Sequence, residues 1–132
     1  KNFHADCTIW ELDLHAKQDH EDTRMLDEFF EQHPTLRNGI TFNSKAYIVG
    51  EYLQRRQITD FNLMGYDLLQ RNVDCLKAGS IFFLIAQQPV LQGFNGIKAL
   101  CDFLILKKEI PSENFMPIDL LTKENIDFYC NR

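Results

Sequence analysis

Three short stretches carry the residues best able to do chemistry together: Asn43-Ser44, Tyr66-Asp67 and Gln87-Gln88. A carboxylate accepts two hydroxyl hydrogen bonds at once, and an amide both donates and accepts. Asp67 with Asn43 and Gln87 therefore suits a polyol, with Tyr66 as an aromatic beside them. Each also has a plainer use. Asn43 and Ser44 precede one helical pattern, Asp67 lies shortly before another, and Gln87 could satisfy backbone groups, all of which is capping chemistry. What favours binding is that all three stretches end strand-forming runs, because ligands of an open parallel sheet bind outside the carboxyl ends of its strands.

The other constellations are weaker. Glu11, Asp13 and His15, at spacing two, could hold a hard cation, but such a pattern more often marks a solvated strand face, and no Cys or His cluster supports a metal. There is no GxSxG, GxxxxGK[ST], GxGxxG or HExxH motif. Acidic pairs such as Asp27-Glu28 fall on helix surfaces. The expectation is a binding protein without catalytic residues, metal or cofactor. His4, His20 and His33 read as surface residues, and Phe29-Phe30 as core.

The elements that must position these groups alternate along the chain. Cys7 to Leu14 alternates as a strand, and Met25, Leu26, Phe29 and Phe30 set one face of a helix from Glu21 to His33 that Pro34 closes. Strand Gly39 to Phe42, helix Ser44 to Arg56, strand Phe61 to Tyr66 and helix Arg71 to Lys77 follow, the last ended by Gly79. Ile81 to Ala86 is apolar without alternation, as in a strand covered on both faces. Pro89 opens a helix to about Lys107 that is apolar on more than one face and so wants two neighbours. After a loop at Ile110 to Asn114, a strand from Phe115 to Leu121 is interrupted by Pro117, and Thr122 caps a helical turn through Tyr129. Strands alternating with helices give a parallel sheet.

Length and charge bound the rest. With 132 residues, 45% of them hydrophobic, the chain can bury one ordinary core. A net charge of -5 excludes phosphate-backbone binding by this segment. No run is long and apolar enough to cross a bilayer, and Lys1-Asn2-Phe3-His4 is neither a signal peptide nor an initiating methionine, so the chain reads as part of something longer. Cys7, Cys75, Cys101 and Cys130 are far apart in sequence and read as free, mostly buried thiols of a reducing compartment.

The stretches Leu63-Met-Gly-Tyr-Asp67, Asn72-Val-Asp-Cys-Leu-Lys-Ala-Gly79 and Ile85-Ala-Gln-Gln-Pro89, with Gly93, resemble the periplasmic-binding-protein-like family, type 1. Its members include ribose-binding proteins and the effector domains of LacI/GalR-type repressors. The likeness runs from the Cys7 strand to Thr122-Lys-Glu-Asn. It implies a three-layer αβα fold with an open, mainly parallel sheet of flavodoxin-like topology, one lobe of two. It also implies that Asn43 contacts ligand hydroxyls, although Ser44 stands where the family usually has an acid. Asp67 would take two sugar hydroxyls with Tyr66 adjacent, and Gln87 would be the glutamine at the last crossover between lobes. The family's arginine clamp and the aromatics of the opposite lobe would precede Lys1.

By the same resemblance, residues 1–132 form a single C-terminal effector-binding lobe, in which the helix of residues 89–109 packs on an N-terminal lobe and residues 115–132 cross back. The implied function is sensing of a sugar or related polyol by a cytoplasmic, homodimeric LacI-type transcriptional regulator that touches DNA only through a head outside this chain and has no membrane partner. The alternative is a periplasmic sugar receptor for a transporter or sensor kinase.

Overall fold

A computed structural model describes residues 8–14 and 19–130, with Asp19 described by its backbone alone. They fall into two compact units, divided between Leu36 and Arg37.

In the first unit the stripe of Met25, Leu26, Phe29 and Phe30 folds as helix α1, Asp19–Gln32, with Leu26 buried. Phe29 and Phe30 are half-buried rather than fully enclosed. His33, expected at the surface, is half-buried with its ring centroid 4.6 Å from that of Trp10 and 4.8 Å from that of Phe29. The expected strand is not formed over residues 8–14, and Cys7 lies outside the described residues. Alternation makes a segment suitable for a sheet, but a strand exists only where another strand hydrogen-bonds to it.

The second unit is built on a four-stranded sheet in the order β1 (Asn38–Ile40), β2 (Asn62–Tyr66), β3 (Phe83–Ala86) and β4 (Asp119–Leu121). The first three strands run parallel and β4 is antiparallel to β3, which gives the open, mainly parallel α/β sheet expected. Helices α2 (Tyr47–Arg55) and α3 (Gln70–Ala78) make the two crossovers. Right-handed crossovers in this strand order put both helices on one face. That face holds the core: Leu63, Leu84, Ala86 and Leu121 from the strands meet Ala46, Val49, Leu53, Val73 and Leu76 from the helical side. Contrary to expectation, β3 is not enclosed on both sides, since Leu84 and Ala86 are buried while Phe83 and Ile85 are half-buried. Gly79 ends α3 with a φ of 84°, where a side chain would be strained.

Helix α4, Pro89–Leu104, is three residues shorter than its apolar pattern and has no buried residue. The last strand covers only Asp119–Leu121 of the expected Phe115 to Leu121, because only those residues pair with β3. Helix α5, Ile126–Cys130, buries Ile126 and is tied to α3 by an ion pair of 2.5 Å between Lys77 and Asp127.

One close approach sets the layer spacing. A Cβ on Gly65 would lie 2.5 Å from that of Ala46 and 3.2 Å from Leu84 Cδ2, so α2 can lie on β2 only because position 65 has no side chain. Gly65→Ala should destabilise the fold by about 1–3 kcal/mol, the usual range for overpacking, as read by urea denaturation.

The thiols depart from the sequence expectation. Among the described residues three cysteines are free, and only Cys75 is buried, while Cys101 and Cys130 are exposed. Burial pushes the Cys75 thiol up from its ordinary pKa. A thiol reagent at neutral pH should label Cys101 and Cys130 rapidly and Cys75 only as the fold opens, which mass spectrometry of timed digests would show.

Candidate functional site at the carboxyl edge of the sheet

Parallel pairing puts the ends of β1, β2 and β3 on one edge. Thr41 N–H donates to Met64 O at 3.0 Å, and Asp67 N–H to Ile85 O at 3.0 Å, so the sheet register carries into the loops that follow. The three strands span about 10 Å across two strand spacings. On this edge the topology gathers Asn43, Tyr66, Asp67 and Gln87, all four sequence candidates.

Their local states differ. Asn43 is exposed, and its Oδ1 accepts the Lys45 N–H at 2.8 Å. That bond closes a local turn ahead of α2 rather than capping the helix, whose first residue is Tyr47, and the Nδ2 side stays available at the rim. Ser44 contributes its backbone carbonyl to the site's framework rather than a cap. Tyr66 and Asp67 are half-buried, and Gln87 is exposed. Among the described residues the Asp67 carboxylate and the Gln87 amide have no hydrogen-bond or ionic partner.

Asp67 has a φ of 67° and Gln88 a φ of 50°, in the left-handed region that side chains disfavour. Gln57 and Lys107 share this conformation, but they follow helices, where a left-handed residue is a common ending. Asp67 and Gln88 instead follow strands, at the candidate edge. Gln88 Nε2 donates to Asp119 Oδ2, and Gln92 Nε2 to Gln87 O, so the chain leaving β3 is fastened to the chain entering β4.

The residue that sequence reasoning passed over is Asn72. Its side chain is fully buried and lies between the two loops. Asn72 Nδ2 reaches Ser44 O at 2.8 Å, Tyr66 O at 3.0 Å and Asp67 O at 3.1 Å, and Asn72 Oδ1 accepts the Tyr47 N–H at 2.8 Å. The signal was present: Asn72 shares a helix face with Cys75 and Leu76, three and four positions on, both buried. Nearby, Arg71 makes a bidentate pair with Glu51 at 2.7 and 2.6 Å and lies 3.9 Å above the Tyr47 ring, joining the starts of α2 and α3.

Concavity points elsewhere. Cavities of about 280 Å³ beside Trp10, Phe29 and His33, and about 200 Å³ beside Asp119, Asn125 and Phe128, include none of the four candidates. Among the described residues no group of three His, Cys, Asp or Glu side chains is placed to hold a metal, and His15 of the Glu11–Asp13–His15 pattern lies outside them. No helix there is long and apolar enough to cross a membrane.

No family model matches the chain, and no curated protein does. Solved structures do. A candidate LacI transcriptional regulator from Bacteroides fragilis is 65% identical over 96% of this chain, with a TM-score of 0.87, and the chain covers 44% of that protein. A carbohydrate transporter solute binding protein from Agrobacterium radiobacter, in complex with D-arabinose, is 19% identical, with a TM-score of 0.68 over 83% of this chain and 37% of its own length. A periplasmic ribose ABC transporter protein from Conexibacter woesei is 18% identical, with a TM-score of 0.73 over 87% of this chain and 40% of its own. The chain thus spans less than half the length of each of these proteins. By its sequence likeness to the first and its fold likeness to all three, the chain has a fold consistent with one lobe of the periplasmic-binding-protein-like fold, type 1.

Proposed function

We propose that this lobe senses a small polyol, a sugar or close relative, for a LacI-type transcriptional regulator of the cytoplasm. The observation that carries the reading is the 65% identity over 96% of the chain to the Bacteroides fragilis protein. Asn43, Tyr66, Asp67 and Gln87 are the ligand contacts of this lobe. The Asp67 carboxylate, with no partner among the described residues, accepts two vicinal hydroxyls, and the amides of Asn43 and Gln87 meet neighbouring hydroxyls. The second wall of the cleft comes from an N-terminal lobe outside this chain, and closure of the two lobes over the ligand changes the spacing of DNA-binding heads, also outside it, in a homodimer. A periplasmic sugar receptor would use the same edge. The two readings part on whether the full-length protein binds DNA in a ligand-dependent way.

The apolar length of α4 supports the two-lobed reading. Phe94, Ile97, Leu100 and Leu104 are each more than half exposed, and in this reading the residues around 89–109 pack on the missing lobe while residues 115–132 return. The 132-residue chain expressed by itself should therefore self-associate through α4. Light scattering should show mass rising with concentration, and a constant monomer would count against this use of α4.

For the ligand contacts, the test is titration calorimetry of the full-length protein with D-arabinose, D-ribose and other aldoses. Asp67→Ala should weaken the sugar that binds by about 100-fold or more, equivalent to roughly 3 kcal/mol, because two charge-assisted hydrogen bonds are lost. The melting temperature should move by no more than about 3 °C, since a half-exposed rim carboxylate contributes little to folding. An unchanged affinity removes Asp67 from the site.

A further inference from the structure

We propose that Asn72 is the positioning residue of this edge: one buried amide that fixes the two loops presenting Asn43 and Asp67, so that both meet a ligand in a single arrangement. The inference rests on the sugar-sensing reading for its ligand but on the geometry of the amide for its substance.

An amide side chain has two N–H donors and one carbonyl acceptor. Asn72 spends them all on backbone, its N–H groups serving Ser44 O, Tyr66 O and Asp67 O and its oxygen taking the Tyr47 N–H. A group with no access to water must find all its partners in the protein, so each of these bonds resists displacement. The bonds go to two different loops. Ser44 and Tyr47 flank the turn after β1 that begins at Asn43, and Tyr66 and Asp67 form the junction after β2.

Neither helix is capped by a side chain from the loop that leads into it. The residue before α2 is Ala46 and the residue before α3 is Leu69, and neither makes a side-chain cap. Asn72 therefore does for α2, from 25 residues downstream in sequence, what a local serine or aspartate would ordinarily do. At Asp67 the need is greater. With φ at 67° the backbone is in a region an aspartate does not prefer, and the direction of its carboxylate depends on staying there. The N–H of Asp67 is held by Ile85 O and its carbonyl by Asn72, so release of the second bond frees the residue to return to ordinary φ and swing its side chain off the edge. A residue that only stabilised the core would have no reason to bond both loops.

The test uses the full-length protein and compares Asn72→Asp with Val73→Ala. Asn72→Asp keeps the acceptor for Tyr47 N–H but replaces the donors to three carbonyls with an oxygen. Val73→Ala loosens the same helix at a buried neighbour whose side chain makes none of the hydrogen bonds to either loop. Two readouts are taken: affinity for D-arabinose and D-ribose, and amide hydrogen exchange over residues 43–47 and 66–69. Asn72→Asp should weaken sugar binding at least 10-fold and speed exchange in both loops at least 10-fold relative to β3, while Val73→Ala changes either by less than about 2-fold. If Asn72→Asp does not fold, Asn72→Ser, which keeps one short donor, is measured in its place with the same expectations. Equal affinity loss in the position 72 and position 73 variants, or unaltered exchange in the loops, overturns the proposal. If the unmodified protein binds neither sugar, the choice of ligand is wrong, and the exchange measurement still decides whether Asn72 fixes the two loops.

Discussion

The missing side chain at Gly65 is the constraint from which the rest of the second unit follows. With nothing beyond Cα, β2 lets Ala46 descend to a distance at which a methyl group would collide, and the start of α2 is drawn down against the sheet. That descent brings the Tyr47 N–H within 2.8 Å of Asn72 Oδ1. A wider spacing would leave the amide oxygen unsatisfied and the first turn of α2 without an acceptor, two buried polar groups with no partners, each costing about 1–3 kcal/mol. Layer spacing, helix capping and loop geometry are therefore one problem with one solution here. It is solved by a glycine on a strand and an asparagine on the next helix.

Helix α4 stands outside that economy. It runs for 16 residues without burying one, although Leu91, Phe94, Ile97, Leu100 and Leu104 recur at helical spacing. Burying a Leu, Ile or Phe side chain contributes about 2 kcal/mol, so five of them amount to about 10 kcal/mol, the size of a whole domain's net stability. A sequence that places so much apolar surface on one helix is adapted to a neighbour. The fastening of Gln88 to Asp119 at its base makes sense in the same terms, because it holds together the two segments through which the chain leaves the sheet and comes back.

Periodicity in the sequence identified the helices and the parallel strands well, since those are set by local repeats: the Leu26 stripe of α1, the Pro89 start of α4 and the Gly79 stop of α3 stand where the residues put them. It did less well wherever pairing decides. Residues 8–14 alternate like a strand and are not one, and Phe115 to Leu121 yields only three paired residues, because neither outcome is contained in the segment's own composition. The carboxyl edge with Asn43, Tyr66, Asp67 and Gln87 was legible because strand order alone gathers strand ends. For Asn43 the residues offered two alternatives, a helix cap or a rim amide, and its Oδ1 closes a turn onto the Lys45 N–H before the helix begins. Asn72 was missed for a different reason. Read locally it is a polar residue in the first turn of a helix, and its importance comes from carbonyls 5, 6 and 28 residues away.

Those long-range bonds also account for how the edge tolerates its strain. Left-handed backbone at Gln57 and Lys107 follows a helix, and at Gln88 it sits directly before α4; at Asp67 it adjoins no helix end. Both of the latter lie at strand ends, and both are tied down by side chains from elsewhere, Asp67 through the amide of Asn72 and Gln88 through the carboxylate of Asp119. Ordering a loop at the moment of binding costs about 0.5–1.5 kcal/mol for each side chain immobilised. Where the fold has already met that cost, a ligand's hydrogen bonds appear as affinity rather than being spent on organisation. Asp67, whose carboxylate has no partner among the described residues and whose left-handed backbone is held by a buried amide, is thus in a state that capping a helix would not require.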